Sequence, residues 1–312
     1  MSNHIDGKIG VLVMSYGTPE NMESVEAYYT HIRRGHPPTS EQLEDLISRY
    51  HAIVGGVFPL RENTNRQVTA LQHKLDEVAG VGRFVCYQGL KHAAPFIEDG
   101  VAAMAADGIK HAVAIVLTPQ YSVMSVGGYM KRAQEEAQKH GIALAIVREY
   151  HLHPELIDAL STRVKEGLGK FDNEQDTMVL FSAHSLPEKI LEMKDPYPEQ
   201  LLETSRAVAN KLGLTNWQFT WQSAGQTGQP WLGPDILETM VNLCKEGVRN
   251  MLVTPVGFVS DHLEVLYDLD IEAQRLAHDH DIHLERIRML NDDPQYMTVL
   301  ADSVLTALEG LS

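Results

Sequence analysis

A few side chains in this chain have the types and spacing to do chemistry. His184 lies in Ala183-His184-Ser185-Leu186-Pro187, where an apolar run gives way to an S-x-x-E pattern, Ser185 with Glu188, that reads as a capped helix start. That puts an imidazole at the mouth of a strand-to-helix loop, where site residues concentrate. A neutral imidazole there can ligate a borderline metal or accept a proton near pH 7, and a histidine hydrogen-bonded to its own turn is the plain alternative. Glu264, Asp268 and Glu272 recur at i, i+4, i+8, which sets three carboxylates on one helix stripe about 6 Å apart per step. Such a row opposes itself unless cations sit nearby. Asp261 with Glu264 is a D-x-x-E capping pattern, which accounts for the first acid but not for two more turns. A path of oxygen ligands for a hard cation accounts for all three. Arg33-Arg34 in HIRRGHPP, followed by Arg49-Tyr50, can clamp an anionic group bidentately, although ordinary surface arginines would read the same way.

These residues need elements to position them. Short apolar runs alternate with longer amphipathic segments. Strands are expected at Lys8–Met14, Arg83–Tyr87, Ala112–Thr118 and Ala143–Arg148, then at Thr177–Ser182, Gln218–Trp221, Met251–Pro255 and Leu284–Arg288. Most are rich in Val, Ile and Leu, as parallel strands buried on both faces are. Helices are expected at Asn65–Ala79, His92–Ala106, Gly128–His140, Glu199–Lys211, Pro234–Glu246, Glu264–His278 and Pro294–Leu311. Strand–helix alternation implies an α/β fold with parallel sheets. Four strands in each half predict two similar Rossmann-like units, 1–149 and 150–289, with the closing helix in 290–312 packing on either. In open α/β sheets the chemistry sits in loops after the carboxyl ends of strands. Here those loops hold Ser15-Tyr16-Gly17, Gln88-Gly89-Leu90-Lys91-His92, Pro119-Gln120-Tyr121, the His184 turn, Gln222-Ser223-Ala224-Gly225 and Val256-Gly257-Phe258.

Composition narrows the classes. The 312 residues carry 26 Lys+Arg against 42 Asp+Glu, a formal charge of 26 − 42 = −16, which argues against binding a nucleic-acid backbone. The apolar run from Ile9 to Ser15 is too short for a signal peptide's hydrophobic region, and the uncharged stretch His111 to Met130 is too polar to span a membrane. A cytoplasmic protein is expected. Cys86 and Cys244 form no C-x-x-C pair, which excludes a disulfide framework, a cysteine zinc ribbon and a four-cysteine iron–sulfur cluster. G-x-G-x-x-G, G-x-x-x-x-G-K-[ST], H-E-x-x-H and G-x-S-x-G motifs are all absent.

The strings VLVMSYGTPE, YYTHIRRGHPP, RYHAI, GLKHAAPFIEDGV, SAHSLPEKI, DPYPEQL, WLGPD and TPVGFVSDHLEVLYDLDIE occur in that order along most of the chain. Together they resemble the ferrochelatases, the metal-insertion enzymes of haem synthesis, and more closely the Gram-positive form that uses coproporphyrin. The resemblance implies chelatase-type units, each a four-stranded parallel sheet flanked by helices, with the active-site cleft between them. It implies that His184 and Glu264 face the porphyrin centre and handle iron and the pyrrole protons, and that Asp268 and Glu272 pass metal toward Glu264. It makes Tyr16 the axial ligand of product iron, and Arg33, Arg34, Arg49, Tyr50 and Tyr129 the lining of the porphyrin site. Fe2+ is then a substrate, a second divalent cation such as Mg2+ sits near Asp268 and Glu272, and no nucleotide, organic cofactor or iron–sulfur cluster is needed. A monomer that makes transient contact with the next enzyme of the pathway is expected.

Three departures stand out. Phe58 occupies a position where the family more often has serine, in a loop one residue longer at Val54. Gln120 stands for histidine, and QSAGQ for a more acidic QSEG. The polar segment RRGHPPTSEQLED, in place of an apolar lip, and Tyr16 both favour coproporphyrin. A protoporphyrin IX enzyme and a non-enzymatic haem carrier using Tyr16 remain the alternatives.

Overall fold

The alternation of apolar runs and amphipathic segments resolves, in a computed structural model of the protein, into two four-stranded parallel sheets. The structure describes residues 7–54, 58–225 and 228–311. The chain divides into two compact units, 1–150 with 291–312, and 151–290. In the first unit the order is β1 (Ile9–Ser15), α1 (Val25–Ile32), α2 (Ser40–Val54), α3 (Pro59–Ala79), β2 (Phe84–Leu90), α4 (Ile97–Ala106), β3 (His111–Val116), α5 (Val126–Lys139) and β4 (Ala143–Val147). In the second it is α6 (Pro154–Leu168), β5 (Met178–His184), α7 (Lys189–Glu192), α8 (Tyr197–Leu212), β6 (Trp217–Gln222), α9 (Ile236–Lys245), β7 (Asn250–Thr254), α10 (Leu263–Leu266), a π-helix (Asp268–Ala273), α11 (Gln274–Asp279) and β8 (His283–Arg286). The chain then returns to the first unit as α12 (Pro294–Glu309), which packs on α3, β3 and β4.

The strand orders are β2-β1-β3-β4 and β6-β5-β7-β8, the same winding twice. Every residue of β1 is buried, as covering helices on both faces require. Leu12, Met14, Ile97, Val101, Ala114 and Tyr129 belong to one core cluster; Leu180, Met240, Met251, Val253, Val265 and Leu269 belong to the other. On α12, Tyr296 is fully buried and its hydroxyl lies 2.9 Å from that of Tyr150.

Several local expectations are corrected. His184 is the last residue of β5, in register with Gln222, two residues beyond the expected strand end at Ser182. The Ser185/Glu188 capping box does not form. The Ser185 hydroxyl donates to the Leu232 carbonyl at 2.7 Å, and α7 begins only after Glu188, with no side-chain cap. Asp261 does not cap the helix of Glu264 either, because its carboxylate lies 3.2 Å from the Arg286 guanidinium. The helix expected over Glu264–His278 is α10, the π-helix and α11 in succession. At the π-helix the amides of Ile271 and Glu272 both donate to the Tyr267 carbonyl, at 3.1 and 3.0 Å. The acid row is therefore not one straight α-helical stripe.

Gly257, just after β7, shows how closely these strand ends pack. A Cβ there would lie 2.4 Å from the Ala183 Cβ and 2.9 Å from its Cα, against backbone that cannot swing away. Gly257→Ala is expected to lower stability by about 1–3 kcal/mol and to displace the residue next to His184. Urea denaturation should show the shifted midpoint, and an unchanged midpoint would refute the close approach.

Candidate active site

Ligands of open parallel sheets bind beyond the strand ends at the point where strand order reverses. In the second unit that point lies between β5 and β7. His184 ends β5, and Pro255-Val256-Gly257-Phe258 follows β7 and leads to His262 and Glu264. The Nδ1–H of His184 donates to the Ser185 carbonyl, which turns Nε2 toward Glu264 Oε1 at 3.3 Å. His262 works in the same way: Nδ1 donates to the Ser260 carbonyl at 2.9 Å, and Nε2 lies 3.4 Å from the other Glu264 oxygen. Two imidazoles thus bracket one carboxylate. The rings of Trp231 and Phe258 stand 6.3 and 6.4 Å from His184.

The backbone under the pair is tied as well. The Tyr197 hydroxyl donates to the His184 carbonyl at 3.1 Å. Gln222, fully buried, donates through Nε2 to the Glu264 carbonyl at 3.3 Å and accepts from the Ser182 hydroxyl at 2.8 Å. The Ser223 hydroxyl donates to the Asp268 carboxylate. Glu272 is half-buried on the π-helix. Among the described residues, no three His, Cys, Asp or Glu side chains converge to hold a metal ion in this state.

Electrostatics follow from this geometry. Burial works against a charged imidazole at His184, but the Glu264 carboxylate overrides it and, with the Ser185 carbonyl and Asp268, lifts the value from 6.5 to about 9. For Glu264, burial favours the neutral acid; His184 and then His262 outweigh it and hold the carboxyl far below its ordinary range. Both shifts favour imidazolium beside carboxylate in this pair.

In the first unit the reversal lies between β1 and β3, and Tyr16 follows β1. Gly17 has φ +85°, and a Cβ there would meet Ala93 at 3.1 Å, so the turn needs glycine. The Tyr16 ring is 42% exposed and lies on His92 at 4.6 Å, and the His92 and His31 Nδ1 atoms are 3.0 Å apart. Burial, then Lys91, His31 and Arg132, push His92 down to about 3. Lys91 sits 5.0 Å over the ring of Tyr129, which is buried in the core. Arg34 is exposed, with φ +56°. Arg33 donates through Nε to the His36 carbonyl at 3.2 Å, and Arg49 to Asp45 at 3.0 Å. Tyr50 is buried against Phe58 at 4.6 Å, its hydroxyl 3.4 Å from the Thr18 hydroxyl. Phe58 is itself only 6% exposed and packs on Tyr50, at the start of α3. Gln120 is fully buried. The inserted residue near Val54 adjoins residues 55–57, and QSAGQ ends at Gln226; both lie outside the described residues.

His262, Tyr197, Gln222 and Arg286 carry no special role in the sequence reading. Only His262 offered a signal, an imidazole two residues from Glu264.

The family model for ferrochelatase matches residues 8–308. The chain belongs to the ferrochelatase family. A coproporphyrin III ferrochelatase of Geobacillus sp. is 44% identical over 306 residues, covering 97% of this chain and 98% of the relative. That of Bacillus subtilis is 45% identical over 305 residues, covering 96% and 98%. A ferrochelatase of Herpetosiphon aurantiacus is 43% identical over 301 residues, covering 95% and 98%. Among solved structures, the sirohydrochlorin chelatase SirB of Bacillus subtilis subspecies spizizenii in complex with cobalt has 11% identity, a TM-score of 0.59 and 97% coverage of both chains. SirB of Bacillus subtilis with Fe3+ has 12% identity, a TM-score of 0.63 and 98% coverage of both. At such identity the likeness is one of fold alone.

The charged pair sets a pH window for this ferrochelatase. The His184 value is raised, so its contribution to stability is complete below 6.5 and is lost as pH rises through about 9. The Glu264 value is lowered, so its contribution is complete above 4.5 and is lost as pH falls through its folded value. Histidine NMR should find His184 protonated at neutral pH and titrating near 9. In Glu264→Gln the midpoint should fall toward 6.5 or below, since burial then acts with less opposition. A wild-type midpoint at the ordinary value would contradict the pairing.

Proposed function

We propose that the chain inserts Fe2+ into coproporphyrin III to give Fe-coproporphyrin, as an ATP-independent step of haem biosynthesis. The observation that carries this is the His184–Glu264 pair, 3.3 Å apart at the end of a central strand, in a chain of the ferrochelatase family. Insertion must remove two pyrrole protons and strip water from the metal. Glu264 is ionised at rest and offers Fe2+ an exchangeable oxygen ligand. As the metal takes that carboxylate, His184 loses the partner that keeps it charged, releases its proton to water, and then takes the two pyrrole protons one after the other, passing each on to water. Asp268 and Glu272 hand iron toward Glu264, and a second divalent cation such as Mg2+ sits beside them.

In the other unit, Arg33, Arg34 and Arg49 take the propionates and Tyr16 ligates the product iron, whereas Tyr50 and Tyr129, buried in the unit's interior, do not line the site. The three arginines, in a chain of net charge −16, suit a substrate with four carboxylates better than one with two, and relatives named coproporphyrin III ferrochelatases point the same way. No helix among the described residues is long and apolar enough to cross a membrane. The protein works as a cytoplasmic monomer that passes its product to the next enzyme of the pathway.

Anaerobic Fe2+ with coproporphyrin III should shift from free-base to metalloporphyrin absorbance faster than in buffer. Under the same detergent-free conditions protoporphyrin IX should react more slowly. His184→Ala is expected to lose about 100-fold or more in kcat. Tight haem binding without accelerated insertion, and with no effect of His184→Ala, would make the protein a carrier instead. Glu272→Gln should raise the Fe2+ requirement more than the porphyrin requirement. Identical metal dependence would reduce the acid row to a solvated face.

A further inference from the structure

Arg286, the last residue of β8, touches the site segment at two points. Its Nε and Nη2 each donate to one carboxylate oxygen of Asp270 at 2.8 Å, and Nη2 lies 3.2 Å from Asp261 Oδ1. Nη1 donates to the Ile287 carbonyl at 3.0 Å, which fixes the side chain on its own strand end. The side chain is only 17% exposed. Asp261 immediately precedes His262 and stands three residues before Glu264, and Asp270 lies midway between Asp268 and Glu272 on the π-helix. One guanidinium therefore contacts the segment that bears the carboxylates of the site both before Glu264 and between Asp268 and Glu272.

The other end of the grip is the sheet. Arg286 pairs in register with Val253 of β7, which pairs with Leu180 of β5, the strand that ends in His184. His184 moves with the sheet, whereas Glu264 belongs to a segment containing a π-helix, a form with little stability of its own. We propose that Arg286 is a positioning residue for metal insertion: its clamp on Asp261 and Asp270 sets the distance from Glu264 to His184 and the direction of Asp268 and Glu272. The clamp also engages the two acids that lie off the row and offsets one of their two negative charges. The planar fork matters, because an ammonium can balance one carboxylate but cannot orient two. This inference rests on reading the site as one that inserts iron.

Steady-state kinetics with Fe2+ and coproporphyrin III, run anaerobically on wild type, Arg286→Gln, Arg286→Lys and Asp270→Asn, test it. The expected result is a rise of about tenfold in the KM for Fe2+ in Arg286→Gln and Asp270→Asn, with the porphyrin KM unchanged. Arg286→Lys should keep the fold but not the wild-type iron KM. The double variant Arg286→Gln/Asp270→Asn should be no worse than Arg286→Gln alone, since that change already removes the Asp270 contact. Unchanged iron KM in the variants, or iron and porphyrin KM rising together, overturns the positioning role. If Arg286→Gln does not fold, Asp270→Asn decides the question on the same two constants. A wild type that inserts no iron overturns the proposed function itself, so the two failures are told apart.

Discussion

A half-buried charge pair, His184 with Glu264, is what the second unit is built to hold. Away from water each member alone would tend to be neutral, and each remains charged because the other is 3.3 Å away. Such a pair gains only if its geometry is kept and its remaining polar atoms are satisfied. Here Ser185 and Ser260 take the outward N–H groups of the two imidazoles, Tyr197 holds the His184 carbonyl, and Gln222 holds the carbonyl of Glu264. The tight passage of Gly257 beside Ala183 serves the same end, since any spreading of β5 from the segment after β7 would pull the pair apart.

The parallel strands were legible because burial on both faces demands unbroken apolar runs, as in Val179-Leu180-Phe181 and Ala112 to Val116. The helices α1, α2 and α6 were not picked out. In α2 the first turns, Ser40-Glu41-Gln42-Leu43-Glu44-Asp45, are mostly polar, and α6 starts on His153-Pro154 with an imidazole as its cap, a type outside the usual cap residues. The two capping patterns were misread for one reason. Ser185 and Asp261 have the side chains for a cap, but the Leu232 carbonyl and the Arg286 guanidinium, far along the chain, claimed them first. His184 and Tyr16 show in sequence because the strand-then-loop pattern marks where they stand, and Glu264 shows through its spacing to Asp268 and Glu272. Their supports do not, because Tyr197, Gln222 and Arg286 reach the site only through tertiary pairing. The π-helix was hidden too, since an acid every four residues is compatible with either helical register.

The first unit solves the opposite electrostatic problem. Lys91 and Arg132 gather behind Tyr16, and burial, then Arg132 and Arg34, press the Lys91 ammonium below its ordinary value. Glu98 answers Arg132 with two short bonds, of 2.6 and 2.7 Å, while Arg132 also holds the Lys91 carbonyl at 2.8 Å. That leaves His92 neutral under the exposed Tyr16 ring, so the tyrosine is backed by a flat, uncharged surface within a positive neighbourhood. Phe58 fits the same logic. It is packed against Tyr50 in an aromatic contact that steadies the tyrosine.

Charge balance links these arrangements to the proposed reaction. Exchanging two pyrrole protons for Fe2+ leaves the macrocycle's charge unchanged, so the cost falls on the steps in which metal has arrived and the protons have not left. A neutral acid–base pair would meet the incoming cation with no charge to offer. In the proposed reaction the ionic pair would offer Glu264 at once, and the loss of that partner would free the proton on His184. Entry of metal and departure of a proton are then coupled through a single carboxylate, which requires that Glu264 reach both the imidazole and the metal without the segment moving. The imidazoles on either side of it, the Gln222 contact to its backbone and the Arg286 clamp beyond it all act on that requirement.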